Sequence, residues 1–265
     1  MRPSDEVEHG FTRVDREARP ADWVECLDKL HGEPFYRAYK ERVREILAPR
    51  PAGLYLEVGA GVGTDASALG AKVIGIDRSS TMCREARARG QRLSVVADAE
   101  ALPLPSGLVD GCWSDRTFQH LARPRRALHE LVRVMKPGAT IVLVDPDYGT
   151  QAMVLPDQPI AQKVFDFRAR HALRNGTLAH QMGRCFVEAN LHDVSVEERT
   201  LIVRDPTAVD NVMGLRSWAR AAQKGGSINE VEAQRFETSY DEVVARGSFR
   251  WSVSFFITSG RKPAE

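Results

Sequence analysis

The sequence predicts an α/β domain built on a mostly parallel sheet with helices on both faces. Three observations carry that expectation. Leu54 to Asp77 reads as a strand, a glycine turn, a short helix and a second strand, the opening of a nucleotide-binding βαβ unit. Beyond it, short apolar runs alternate with helical patterns to about Asp145. Strands joined through helices run parallel and are buried on both faces. The chain has 265 residues, 43% of them hydrophobic, enough for one such domain with additions.

Composition also excludes. A formal net charge of +1 with 28% charged residues argues against a polyanionic partner, and no basic stripe interleaved with aromatics suggests nucleic acid. No apolar run approaches the ~18 residues of a membrane span. The first twenty residues hold Asp5, Glu6, Glu8, Asp15 and Glu17 without an apolar centre, so they do not read as a signal peptide. Cys26, Cys83, Cys112 and Cys185 are scattered without ligand-like spacing. That argues against a structural zinc or a disulfide framework and suits a reducing cytoplasm.

Residues 1–20 read as a polar, poorly ordered tail, and residues 21–265 as a single domain with helical cap elements at 21–48, 150–190 and 207–246. A first helix, Ala21 to Leu30, puts Trp23, Val24, Cys26, Leu27 and Leu30 on one face, and Gly32 and Pro34 end it. A second, Phe35 to Leu47, spaces Tyr36, Tyr39, Val43 and Leu47 helically before Pro49 and Pro51. Its tyrosines are either core or a lid over a ligand, with Arg37 and Lys40 flanking them. After the βαβ opening, Ser79-Ser80-Thr81 caps a helix that Gly90 stops. Strands follow at Leu93–Ala97, Val109–Ser114 and Thr140–Val144, with a helix from Pro124 to Val134 before the last of these. Helices are expected over 158–173, 178–189, 207–222 and 228–245, and strands at Val194–Val203 and Phe249–Thr258, the latter alternating Phe249, Trp251, Val253, Phe255 and Ile257 with smaller residues.

Glu57-Val58-Gly59-Ala60-Gly61-Val62-Gly63 places a carboxylate two residues before three alternating glycines, and Asp77 closes the next strand. Glycines permit backbone angles and close approaches that a Cβ forbids, and an acid about 20 residues on suits two ribose hydroxyls. A dinucleotide site asks for G-x-G-x-x-G; Thr64 stands where its third glycine falls, which opposes a nicotinamide oxidoreductase. Four stretches, LEVGAGVG, VIGIDRSSTM, VVADAEALPLPSGLVDGCWSDRTFQHL and ALHELVRVMKPGATIVLVDPD, together resemble the class I S-adenosylmethionine (SAM) dependent methyltransferases. The likeness is to the branch with quinone-ring C-methyltransferases and small-molecule O- and N-methyltransferases.

The resemblance implies a doubly wound seven-stranded sheet of order 3-2-1-4-5-7-6 with strand 7 antiparallel, SAM as cofactor, S-adenosylhomocysteine as product, and no metal. It implies that Glu57, Gly59, Ala60 and Gly61 lie along the methionine part of SAM, and that Asp77 takes the ribose hydroxyls with Arg78 and Met82 flanking the adenine. Asp98 and the Ala99 backbone would read the adenine edge, and Asp115 and Arg116 would sit beside the sulfonium. Tyr36 and Arg37, on the helix before the glycine turn, are added as cofactor contacts. Phe118-Gln119 precedes His120 where many relatives carry a second His.

Methyl transfer from a sulfonium needs alignment and exclusion of water, and a base only when the acceptor is protonated. His120 past strand 4, and Asp147 with Tyr148 past strand 5, are the candidates, lying where α/β sheets bind ligands. Packing or capping for His120, and turn chemistry for the Asp145-Pro146-Asp147 stretch, are the competing readings. The sequence thus points to a cytoplasmic methyltransferase, monomer or homodimer, with no nucleic-acid or membrane partner. Its acceptor would be a small, partly apolar or aromatic molecule, with O or N favoured. A quinone- or polyketide-like ring carbon is an alternative, and a SAM-binding partner subunit without transfer activity is another.

Overall fold

The computed structural model describes residue 11 and residues 13–207 and 214–264. Its centre is a seven-stranded sheet of order β3-β2-β1-β4-β5-β7-β6. The strands are β1 (Leu54–Val58), β2 (Lys72–Asp77), β3 (Ser94–Val96), β4 (Val109–Asp115), β5 (Met135–Met153), β6 (His192–Val203) and β7 (Trp251–Arg261). β1 to β5 pair in parallel, and β7 runs antiparallel between β5 and β6. The expected order and the reversed strand are both present.

Side chains alternate across a strand, and two cores result. Tyr55, Trp113, Val142, Val144, Val253 and Phe255 face one side. There they pack against α2 (Pro34–Leu47), α6 (Gln158–Phe167), α8 (Leu215–Lys224) and α9 (Glu230–Ala245). Leu56, Val58, Cys112, Ile141 and Leu143 face the other, covered by α5 (Pro124–Val134) and α7 (Met182–Glu188). Two short helices at the sheet's glycine edge complete the βα units, α3 (Thr64–Ala68) and α4 (Ser80–Ala88).

Three expectations change. First, β5 does not stop at Val144: it runs to Met153, with Asp145, Pro146 and Asp147 paired to Phe256, Phe255 and Ser254 of β7. The antiparallel neighbour supplies partners beyond the point where the parallel strands end. The Asp-Pro-Asp stretch is therefore strand, not turn. Second, the tail is partly built. Val14 is buried, and Asp15 accepts hydrogen bonds from Ser79 Oγ (2.6 Å), Ser80 N (2.8 Å) and Thr81 N (3.1 Å). It satisfies the N-terminal N–H groups of α4 alongside the Ser79 cap. Burial opposes ionisation there, but these bonds hold the Asp15 carboxyl well below its usual range. Residues 1–10 and 12, which the tail reading also covered, lie outside the described residues, as does 208–213 of the helix expected over 207–222. Third, the helix expected at 158–173 ends in a π-helical turn, Arg168–Ala172.

α1 (Pro20–Gly32) is the element that closes the glycine edge. Its Trp23, Val24 and Leu27 pack on Val14, Val62 and Met82, so the first helix lies across the mouth of the βαβ unit. No described helix is long and apolar enough to cross a membrane.

Candidate active site

A cavity of about 530 Å³ opens beyond the C-terminal ends of β1, β2 and β4, where a parallel sheet presents its strand tips. Fourteen of the sixteen residues singled out from sequence line it: Tyr36, Glu57, Gly59, Ala60, Gly61, Asp77, Arg78, Met82, Asp98, Ala99, Asp115, Arg116, His120 and Tyr148. Arg37 and Asp147 are not among its walls. Arg37 is exposed, on a turn of α2 that faces away from the buried Tyr36 and Tyr39. Asp147 is buried, and its carboxylate accepts from Gly149 N (2.8 Å) and His180 N (3.1 Å), fixing the backbone on the far side of β5.

The glycine turn is shaped for close approach. Gly59, Gly61 and Gly63 have φ of +74°, +51° and +74°, which only glycine adopts without strain. A Cβ on Gly59 would fall 1.9 Å from Thr117 Oγ1. Next to this turn, Asp77 accepts from Gly61 N and Ser79 N, both at 2.9 Å. Each carboxylate oxygen keeps a lone pair for a further donor. Burial pushes the Asp77 carboxyl up despite those two bonds. Asp98 is exposed at the same rim and accepts from Glu100 N at 2.8 Å, while Ala99 is buried behind it.

Under the centre of the cavity lies a cluster of buried charge. The Tyr39 hydroxyl donates to both Asp115 oxygens (2.8 and 3.0 Å). The Lys40 ammonium pairs with Asp65 and sits 3.4 Å from Asp115. Arg116, in a left-handed backbone conformation (φ 53°), pairs with Asp115 at 3.3 Å and lies 4.9 Å above the Tyr36 ring. Burial works against the Asp115 carboxylate, but Arg116, Lys40 and the Tyr39 hydroxyl hold it below its ordinary value. Glu57 is less well compensated: Lys40 and a Trp113 hydrogen bond favour its ionised form, but Oε2 is buried without a hydrogen bond. Burial, then the neighbouring Asp65, raises its carboxyl well above the usual range.

Sequence reading missed His31, Asp65, Arg168 and Arg174, which also line the cavity. Burial and the Lys40 ammonium hold His31 down to about 4, so it is neutral near pH 7. Two of the four left a signal. His31 continues the Leu27–Leu30 face of α1, and Arg168 continues the buried Ala161, Val164, Phe165 face of α6 at helical spacing; a charge on an apolar stripe marks a polar group inside. Asp145, beside the cavity but not in its walls, accepts from Phe118 N and Gln119 N, and burial raises it to about 8.

The cavity suits a cationic, ribose-bearing ligand. An orphaned buried carboxylate oxygen can take an ammonium, a rim aspartate can take hydroxyls, and acids line the strand tips. Among the described residues, no group of three or more His, Cys, Asp or Glu is arranged to hold a metal ion.

A protein-family model described as "Methyltransferase domain" matches residues 56–143. The chain is 32% identical over 255 residues to a 37.1 kDa protein in transposon TN4556 of Streptomyces fradiae, covering 92% of this chain and 72% of that protein. It is 32% identical over 151 residues to the ubiquinone/menaquinone biosynthesis C-methyltransferase UbiE of Cereibacter sphaeroides, covering 52% of this chain and 58% of the enzyme. The chain thus spans less than two thirds of that enzyme's length. Among solved structures, phosphoethanolamine N-methyltransferase 2 of Haemonchus contortus, in complex with SAM, superposes with a TM-score of 0.61 at 17% identity, covering 97% of this chain and 61% of that one. That likeness speaks to the fold.

Proposed function

The chain belongs to the class I SAM-dependent methyltransferases, and we propose that it transfers the methyl group to a small, partly apolar or aromatic acceptor. The observation that supports this reading is the division of one cavity into two chemistries. Its glycine-turn end is lined by Glu57, Asp77 and Asp98. Its other end carries Tyr36, Tyr148, Leu173 and Phe255 with His120, Arg168 and Arg174 set among them, apolar surface with a few placed polar groups, as small-molecule sites have.

When bound, SAM supplies a methyl group on a sulfonium that is already activated for displacement. In this reading Glu57 takes the amino-acid end, Asp77 accepts from the ribose, Asp98 and the Ala99 backbone hold the adenine, and Val14, Trp23, Leu27 and Met82 keep water from that half. Asp115 and Arg116 form a half-buried ion pair that fixes the floor. His120 and Tyr148 stand at the acceptor end. His120 would take the proton of an O or N acceptor, and the Tyr148 hydroxyl would orient it. Asp147 has no part in the chemistry, because its two oxygens hold backbone N–H groups outside the cavity. Four cysteines without a disulfide accord with a cytoplasmic setting.

A ring carbon of a quinone-like acceptor is the second reading, favoured by the identity to the quinone C-methyltransferase. Incubation with methyl-labelled SAM and small-molecule extracts tests both. Label in low-molecular-weight products, with the methyl on O or N and turnover lowered in His120→Gln, supports the first. A carbon-bound methyl supports the second, and label confined to macromolecules overturns both.

A further inference from the structure

Arg168 is a half-buried cation with no carboxylate paired to it among the described residues. It sits where α6 gives way to the π-helical turn, a backbone irregularity that recurs at functional sites. Its guanidinium carbon lies 4.8 Å from the Trp218 ring centroid and 5.5 Å from that of Tyr148, and its Nε is buried with no hydrogen-bond partner. Among the described residues the polar group set against it is the Tyr148 hydroxyl, and burial pushes the guanidinium down from its ordinary value. Arg174, half-buried on the same wall, has no carboxylate within ion-pair distance among the described residues. A desolvated charge is destabilising unless something pairs with it, and among the described residues no carboxylate does.

The acids of the cavity are placed elsewhere. Glu57, Asp77 and Asp115 lie at the ends of β1, β2 and β4, Asp98 and Glu100 follow β3, and Asp65 stands in α3. The charged residues that the stretch from the π-helical turn to Arg174 contributes to the wall, Arg168 and Arg174, are both cations. The carboxylates therefore gather at the strand tips, among Arg78, Arg116 and Arg123, whereas the charged groups beside Tyr148 on the far wall are cations alone. Resting on the methyltransferase reading above, we propose that Arg168 anchors a carboxylate of the methyl acceptor, so that the substrate class is an aromatic or apolar carboxylic acid. The planar guanidinium matches a carboxylate in a two-bond fork, and the rings of Tyr148 and Trp218 fix its plane by stacking. Arg174 adds a second positive charge at the mouth.

The test is calorimetry on the full chain with S-adenosylhomocysteine bound. Benzoate, 4-hydroxybenzoate and 2-naphthoate are titrated against their primary amides and against phenyl phosphate, in the parent, Arg168→Met and Arg168→Lys. At least one carboxylate is expected to bind about tenfold or more tightly than its amide, a difference of about 1.4 kcal/mol. Arg168→Met should abolish that preference while leaving S-adenosylhomocysteine affinity unchanged and the melting temperature equal or higher, since an unpaired charge is removed. Arg168→Lys should keep the preference in weaker form. No carboxylate preference in the parent, a preference that survives in Arg168→Met, or tighter binding of phenyl phosphate than of every carboxylate overturns the assignment. Failure of S-adenosylhomocysteine itself to bind strikes instead at the methyltransferase reading.

Discussion

Glu57 holds the most informative proton in the molecule. Its carboxyl is buried, lacks a donor on Oε2 and is raised above its ordinary value. An ammonium brought against it stabilises the ionised form and lowers that value. SAM binding is therefore expected to release close to one proton at a pH between the free and bound values. Calorimetry in buffers of different ionisation enthalpy reads this directly. Glu57→Gln should bind SAM with no proton release and about tenfold more weakly; equal release in both proteins would separate Glu57 from the cofactor. Tyr39 tests the scaffold beneath. Its ring stacks on Phe255 (5.6 Å) and its hydroxyl is bonded to Asp115. Tyr39→Phe should lose about 1–3 kcal/mol, for a hydrogen bond to a charged group, and Tyr39→Ala about 3–5 kcal/mol, as for a buried aromatic. Denaturant unfolding distinguishes this from a lid tyrosine, for which both changes would leave stability intact.

At the scale of elements, the part that covers the cavity is α1, not α2. α2 is wedged by Tyr36, Tyr39 and Val43 into the core of the sheet. α1 has only Leu30 fully buried and leans on the glycine turn through Leu27, whose Cδ1 would lie 3.2 Å from a Cβ on Gly61. Elements with few buried contacts open first. Limited trypsin digestion should cut after Lys29, an exposed residue of α1, more slowly when SAM is present, while the α2 sites resist cleavage with or without it. Protection confined to α2 would return the cover to that helix. The sequence made the helices themselves readable, because 3.6-residue spacing and the Pro and Gly stops are local. Which of two consecutive helices closes the site depends on where the sheet lies, and spacing does not carry that. The length of β5 was hidden for the same reason: Asp-Pro-Asp has turn chemistry locally, and only β7, about a hundred residues later, makes it a strand.

For the whole molecule, the sheet order was legible through family resemblance, and the strand–glycine–helix opening through physics. Gly59 and Asp77 could be placed at the cavity from sequence because a glycine turn and the acid that ends the next strand have fixed spacing, and Glu57 through the family resemblance. Arg168 and Asp65 were not. Each acts through neighbours distant in sequence, Tyr148 and Trp218 for one and Lys40 for the other. Arg37 was misplaced because a cation beside an aromatic stripe looks the same from either side of a helix. All of these roles require that the cavity over β1, β2 and β4 be the SAM site, with Asp77 reading the ribose. Titrating SAM and, separately, NAD into the parent and Asp77→Ala tests it most directly. The account predicts a single SAM site in the parent, at least about tenfold weaker in Asp77→Ala because charge-assisted bonds worth ~1.5–3 kcal/mol each are lost, with no NAD binding and a retained cooperative melt. SAM binding that Asp77→Ala leaves unchanged, or NAD binding in its place, would contradict it.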